Sequence, residues 1–258
     1  MSSVQRSLRL LEAIAGGPAP THAELSRRFS IPRSTLTQLL ELMRESGYVS
    51  ASEGRYYPGL QLMALGFRLS QGQGNPTALK PEMDALARAS GETVTLGVRI
   101  NDRVIYIAQS PSPQPVRYVA EMGRARPLHA TASGKVFLAH APTSPADGPL
   151  EALTDRTVTT LNKLRRDVAE VLRDGYAVNF GESVTNVTGI SAPLFWDGAR
   201  PTSVLSVTGP SDRMVDARER VWPLLRESIA ALLAKNPDAR GPGAKARVTA
   251  DRPAARAL

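Results

Sequence analysis

Apolar residues recur every three to four positions through the first part of the chain. Val4, Leu8, Leu11 and Ala15 share one stripe of a first helix, which Gly16-Gly17-Pro18 stops. Thr21-His-Ala-Glu24 reads as a capping box opening a short second helix, with Leu25 and Phe29 as its apolar face. Pro32 suits the first position of a third helix, where a missing N–H costs nothing. Leu36, Leu39, Leu40 and Met43 fall at i, i+3, i+4 and i+7 and face inward together. That geometry turns Ser34, Thr37, Gln38 and Glu41 outward, with Arg33 and Thr35 at the helix start, and Gly47 ends the helix.

The pattern then shortens. "YVSASEGRYYPG" reads as two short strands around a Ser-Glu-Gly turn, and Leu60, Met63, Ala64 and Phe67 restart a helical stripe. The glycine-rich "SQGQGNP" marks a domain boundary. Beyond it helix and strand mix. Residues 76–90 and 161–174 look helical, and "TVTLGVR" and "RVIYIAQS" flank Asn101-Asp102 as a hairpin. "VRYVAE" reads as a further strand, and "LHATASGK" as a small-residue loop leading into a helix at "VFLAH". Strands follow near 176–178, 189–196 and 202–208, the last two joined at Asp197-Gly198, before a closing helix over 216–234.

The expected organisation is therefore a first unit at 1–59, a linker helix and hinge at 60–75, a mixed α/β domain at 76–235, and a tail at 236–258. The tail has little apolar content and several Pro, Gly and Ala, which suits a disordered basic segment. The fold class expected is α+β. No internal repeat is visible.

Composition adds constraints. The hydrophobic fraction of 42% is that of an ordinary globular protein with a sizeable core. No apolar run approaches the roughly 18–20 residues that span a bilayer, and the start lacks the regions of a signal peptide. Without cysteine there is no disulfide framework or thiolate metal site. A cytoplasmic protein without membrane contact, metal or cofactor is expected. The formal charge is +8, with eight basic and five acidic residues in 1–75 and five and two in 236–258. A basic balance favours polyanions without naming one, and an arginine-rich genome would produce the same counts.

Helix, short helix, tight turn, helix and hairpin, in that order, describe a winged helix-turn-helix, whose third helix enters the major groove. Arg33, Ser34, Thr35, Thr37 and Gln38 would then approach phosphates and base edges, and Arg55 with Tyr56 would sit on the wing. The plain alternative is a solvated polar helix start on a module that binds protein. In "LHATASGK" the small residues would uncover helix N–H groups able to hold a carboxylate, or would simply pack a helix closely on a sheet. A phosphate loop is excluded, because His129 and Val136 stand where glycine and Ser or Thr are required. His22, His129 and His140 are too scattered for a metal site, and no nucleophile elbow accompanies His129, Ser133 and Lys135. Catalysis is not expected.

The stretches "SVQRSLRLLEAIA", "ELSRRFSIPRSTLTQLLELMRESGYV" and "GRYYPGLQLMALG" resemble the DNA-binding half of the isocitrate lyase regulator (IclR) family. The likeness continues through "RPLHATASGKVFLA", "LRDGYAVN", "GISAPLFWDG" and "SVLSVTGP", to about residue 235. It implies a winged helix, a linker helix and a GAF-like effector-binding domain. It also implies homodimers through the first domain and linker, often paired into tetramers, that bind double-stranded operator DNA and a small-molecule effector. Positions matching the family's effector contacts are Ala132, Ser133, Asn179, Gly189, Ser206 and Thr208, with Tyr118 and Val187 as apolar lining. Two departures stand out: Asn179-Phe180 replaces a common acidic pair, and Thr188-Gly189 replaces Arg-Cys or Arg-Ser. They make the expected pocket more apolar and suit an aromatic or acyl effector.

Overall fold

The computed structural model describes residues 2–71, 76–140, 150–196 and 200–235, without the side chains of 67, 69–71, 76 and 77. The Asp197-Gly198 turn, the Phe67 side chain of the linker stripe and the tail from 236 lie outside the described residues. The chain divides into two compact units, 1–75 and 76–258.

The first unit contains α1 (Ser3–Ala15), α2 (His22–Phe29), α3 (Arg33–Glu45), β1 (Val49–Ser52), β2 (Arg55–Pro58) and α4 (Leu60–Gln71). Leu10, Ile14, Leu25, Ile31, Leu36, Leu40, Met43 and Val49 form its core. Burying each leucine removes apolar area worth about 1.5–3 kcal/mol from water. Of the stripe expected on α1, Leu11 packs at the edge of this core but Val4 and Leu8 do not. Val4 and Leu8 are 66% and 55% exposed, whereas Leu10 and Ile14 are buried. The helix has apolar residues on more than one side, so tertiary packing rather than periodicity selects the inner one.

Thr21 and Glu24 form the expected reciprocal cap, with Thr21 N–H donating to Glu24 Oε2 at 2.7 Å and Glu24 N–H donating to Thr21 Oγ1 at 3.3 Å. Pro32 stands at the N-cap of α3, one position before that expected. Glu53 and Gly54 both have positive φ, 50° and 71°, the two left-handed residues that a tight hairpin needs to match strand twist.

The second unit holds α5 (Lys80–Ser90), β3 (Thr93–Ile100), β4 (Arg103–Ser110), β5 (Ala125–Pro127), α6 (Ala132–His140), α7 (Leu161–Asp174), β6 (Ala177–Phe180), β7 (Val187–Leu194), β8 (Ser203–Pro210) and α8 (Trp222–Lys235). Its sheet is antiparallel in the order β5-β4-β3-β8-β7-β6. Strand alternation sends Val94, Leu96, Ile190, Ala192, Leu205 and Val207 to a core shared with α5 and α8. The opposite face packs Val104, Tyr106, Ala177 and Val204 against Val136, Phe137, Leu164 and Val171 of α6 and α7. A sheet covered on both sides by helices is a three-layer, GAF-like arrangement, and the class is α+β. Two further expectations change. "VRYVAE" is not a strand; it crosses the sheet held by side chains, with Ala120 N–H donating to Gln109 Oε1 at 3.1 Å and Thr93 Oγ1 donating to the Tyr118 carbonyl at 2.6 Å. Pro111, Pro113 and Pro115 just upstream remove ladder donors there. The closing helix begins as a π turn at Ala217–Val221 before α8.

Candidate functional site

Two surfaces carry chemistry, one in each unit. On α3 the buried leucines fix the rotation, so Arg33, Ser34 and Gln38 are exposed and Thr35 is half-buried. The side chains of Arg33, Ser34 and Gln38 have no intramolecular hydrogen bond or ion pair among the described residues, and remain available to a partner. Thr37 is exposed but engaged. Its Oγ1 donates to the Arg33 carbonyl at 3.0 Å and lies 3.1 Å from His22 Nε2, which ties α3 to α2. Arg55 is also partly committed, donating from Nη1 to the Ala19 carbonyl at 2.7 Å. Tyr56 packs against the first core, and its N–H donates to the Pro20 carbonyl at 2.9 Å. Arg55 and Tyr56 thus fasten the wing to the loop before α2, leaving the remaining Arg55 donors outward.

In the second unit the sheet face beneath α6 is lined with hydroxyls. Thr131 caps α6, its Oγ1 accepting the Gly134 N–H at 2.9 Å. Gly134 allows the close approach. A Cβ there would collide with the Leu128 backbone. Ser133, wholly buried, reaches Ser206 Oγ at 2.9 Å and Ser191 Oγ at 3.2 Å, and those two lie 2.7 Å apart. Tyr106 Oη stands 3.5 Å from Ser133 Oγ, and burial pushes the Tyr106 phenol above its ordinary pKa, partly offset by that contact. Cross-strand pairing puts Thr95 beside Ser206 and places Thr208 between Thr93 and Gly189. Thr95 Oγ1 is buried without a hydrogen-bond partner among the described residues. An unmet buried hydroxyl costs about 1–3 kcal/mol, which a bound polar group would relieve.

The expected effector residues divide accordingly. Ser133 and Ser206 touch directly. Ala132 opens α6, and Gly189 and Thr208 occupy the next row of the sheet. Val187, half-buried, shares their face two positions before Gly189, and Tyr118 packs over the same core. Asn179 is spent internally: Nδ2 donates to the Ala130 carbonyl at 2.5 Å, and Oδ1 accepts the Glu182 N–H at 2.9 Å. Phe180 does not line this face. Val178, two positions before it, packs with the α5–α8 core, and Phe180 follows that side, 42% exposed. Tyr106, Thr95 and Ser191 were not read from the sequence, although Ser191 lies two residues from Gly189 and would follow from alternation.

Beside the hydroxyl set, Lys135 buries its ammonium between Asp167 Oδ2 and both Glu182 oxygens, each at 2.7 Å. A cleft of about 150 Å³ between α7 and β6 opens onto this ion cluster, lined by Lys135, Asp167 and Glu182 together with Lys163, Tyr176 and Phe180. His129 is buried with Nε2 at 2.9 Å from the Glu151 carbonyl, so it does not face Ser133 as a base. Among the described residues no group of acids and histidines could hold a metal ion, and no helix is long and apolar enough to cross a membrane.

A winged helix with an unpartnered polar reading face, followed by a sensor-like α/β unit, defines a DNA-binding transcriptional regulator. Residues 3–53 match the IclR helix-turn-helix domain, and residues 76–232 match the C-terminal domain of bacterial IclR transcriptional regulators. The chain belongs to the IclR family. It is similar to the HTH-type transcriptional regulator KdgR of Escherichia coli K12, with 30% identity over 90% of this chain and 89% of that protein. A crystal structure of an IclR regulator from Silicibacter sp. TM1040 superposes with a TM-score of 0.84 at 26% identity, covering 91% of this chain and 96% of that one. An IclR homologue from Microbacterium hydrocarbonoxydans, crystallised with 4-hydroxybenzoate, gives 0.75 at 25% identity, covering 92% and 100%. The chain is a regulator, not an enzyme.

Proposed function

We propose that the protein is a one-component repressor of a catabolic operon, acting in the cytoplasm on a palindromic operator and released by a small organic effector. The observation that carries this reading is the free polar start of α3. Arg33, Ser34 and Gln38 stand outward without internal partners among the described residues, where a winged helix meets the major groove. Thr35, Thr37, Arg55 and Tyr56 border them and complete the contact surface. Residues 1–59 would be the DNA-binding domain, 60–75 the linker and hinge, and 76–235 the effector domain, with 236–258 a basic tail.

Dimerisation is supported by apolar side chains that one copy leaves in water, namely Val4 and Leu8 on α1 and Leu60 and Met63 on α4. Two such dimers would pair into the tetramer common in the family. The effector would sit under Tyr118 and Val187, against Ala132, Ser133, Gly189, Ser206 and Thr208, with Asn179 shaping the floor. The 4-hydroxybenzoate in the Microbacterium relative supports an aromatic or carboxylate ligand. The ligand works as a switch only by binding one arrangement of the paired linkers better than the other.

The test is a gel-shift with the upstream region of the protein's own gene, repeated across salt. Arg33→Ala should weaken binding and lower the salt slope by about one, the signature of one lost phosphate contact. Equal affinity and equal slope in the variant would refute the assignment.

A further inference from the structure

Arg126 is the side chain that the effector reading leaves unexplained. It lies on β5 opposite Val104, a residue of the α6-side core, so cross-strand pairing puts it on the sheet face that carries Tyr106 and Thr95. Its side chain is only 12% exposed. Nη2 donates to Glu121 Oε2 at 3.0 Å, but Nε is buried and has no partner among the described residues. Glu121 does not belong to it alone, because Arg124 Nη1 reaches the same oxygen at 2.5 Å. Two guanidinium groups therefore share one carboxylate, leaving one positive charge without a counter-ion among the described residues. That charge reaches the site, since it draws the phenols of Tyr106 and Tyr118 downward against the effect of their burial.

Resting on the effector site proposed above, we infer that Arg126 is its anion-reading residue, and that the ligand is a small organic acid bound with its carboxylate toward Arg126 and its body along the Thr95–Tyr106–Ser133 hydroxyls. The hydroxyl cluster supplies no formal charge, and the three serines already satisfy one another. They favour a polar neutral body and cannot by themselves separate an acid from its amide. A buried guanidinium with an open N–H can, because a carboxylate brings a negative charge and two acceptor oxygens, whereas an amide offers one neutral carbonyl oxygen and places an N–H donor beside the guanidinium. Entry of a carboxylate would also compete with Glu121 for Arg126, loosening the segment that carries Tyr118.

The experiment uses the full-length chain and calorimetric titration at neutral pH with three acids and their primary amides: benzoate, 4-hydroxybenzoate and pyruvate against benzamide, 4-hydroxybenzamide and pyruvamide. The wild type should bind at least one acid about tenfold or more tightly than its amide. Arg126→Gln should bring that ratio near one by weakening the acid far more than its amide, and Arg126→Lys, which keeps the charge and guards against a folding defect, should retain part of it. A ratio that survives Arg126→Gln overturns the inference, as does a wild type that binds no acid in preference to its amide. Ser133→Leu separates the two levels. If acid and amide bind equally and both are lost in that variant, the site stands and the role of Arg126 falls. If no pair binds at all, both fall.

Discussion

Replacing Lys135 by methionine tests whether the buried ion cluster holds α6 in place. The side chain is 3% exposed, and its three N–H donors go to Asp167 Oδ2 and both Glu182 oxygens. Methionine keeps most of the stem's volume and removes only the charge. Glu182, itself 10% exposed, then faces Asp167 with no cation between them except Lys163, which lies 3.3 Å from Asp167 Oδ1 on the solvent side. Removing one partner of a buried pair costs about 3–5 kcal/mol, because the other charge remains desolvated. At about 2–4 °C per kcal/mol for a unit of this size, the melting midpoint of the second unit should fall by roughly 6–20 °C. Differential scanning calorimetry of the full chain reads this. Adding Glu182→Gln should recover much of the loss, since the stranded charge goes too. A single variant that melts within 2 °C of wild type, or a double variant less stable than the single, would show that the cluster is not an anchor.

Three further outcomes follow from the same geometry. Burial pushes the Glu182 carboxyl above the ordinary 4.5 even against Lys135, so the folded state holds its proton more tightly than the unfolded chain. Its stabilising contribution is therefore full below about pH 4.5 and is lost as pH rises through the raised folded value. The midpoint difference between wild type and Glu182→Gln should vary with pH in that window, and a constant difference would contradict the shift. Gly134→Ala drives a Cβ into the Leu128 backbone, which cannot rotate away, and should cost about 1–3 kcal/mol or more and blunt the effector response in the gel-shift. Leu36→Ala empties a fully buried site in the first core and should cost about 2–5 kcal/mol. Operator binding should then fail at every salt concentration, unlike the salt-dependent loss expected of Arg33→Ala.

Much of the architecture was legible because local signals agreed with the fold. The Thr21–Glu24 cap, the Glu53-Gly54 turn and the helix over 161–174 each rest on residues close in sequence. The misreadings share the opposite property. Leu8 and Leu10 are equally apolar, and only contact with distant elements decides that Leu10 is inside. Residues 116–121 have strand composition, yet their backbone is held by Gln109 and Thr93 side chains rather than a ladder. At the site, Ser133 and Ser206 were reached through family resemblance. Tyr106 shares their face through the plain hairpin register, with Gly97 opposite it, and was open to alternation; the bulge beyond it, between Leu96 and Gly97, brings Gln109 to the same face and has no local signal.

That bulge bears on how a ligand could be felt at all. Without it, strict alternation along β4 would carry Tyr106 and Gln109 to opposite faces, since they are three residues apart. With one extra residue at Ile107 both lie under α6, Tyr106 facing Ser133 and Gln109 pinning Ala120. A molecule wedged between the phenol and the serines would therefore press on α6 and on the 116–121 segment together. On α6 the consecutive residues Ser133, Gly134 and Lys135 meet the hydroxyl cluster, the Leu128 backbone and the ion cluster in turn. With Gly134 admitting no slack and Lys135 anchored, α6 is the stiffer wall. The 116–121 segment has no strand ladder and is held by two side-chain hydrogen bonds to its backbone and by the Glu121–Arg126 ion pair, so displacement should appear there first.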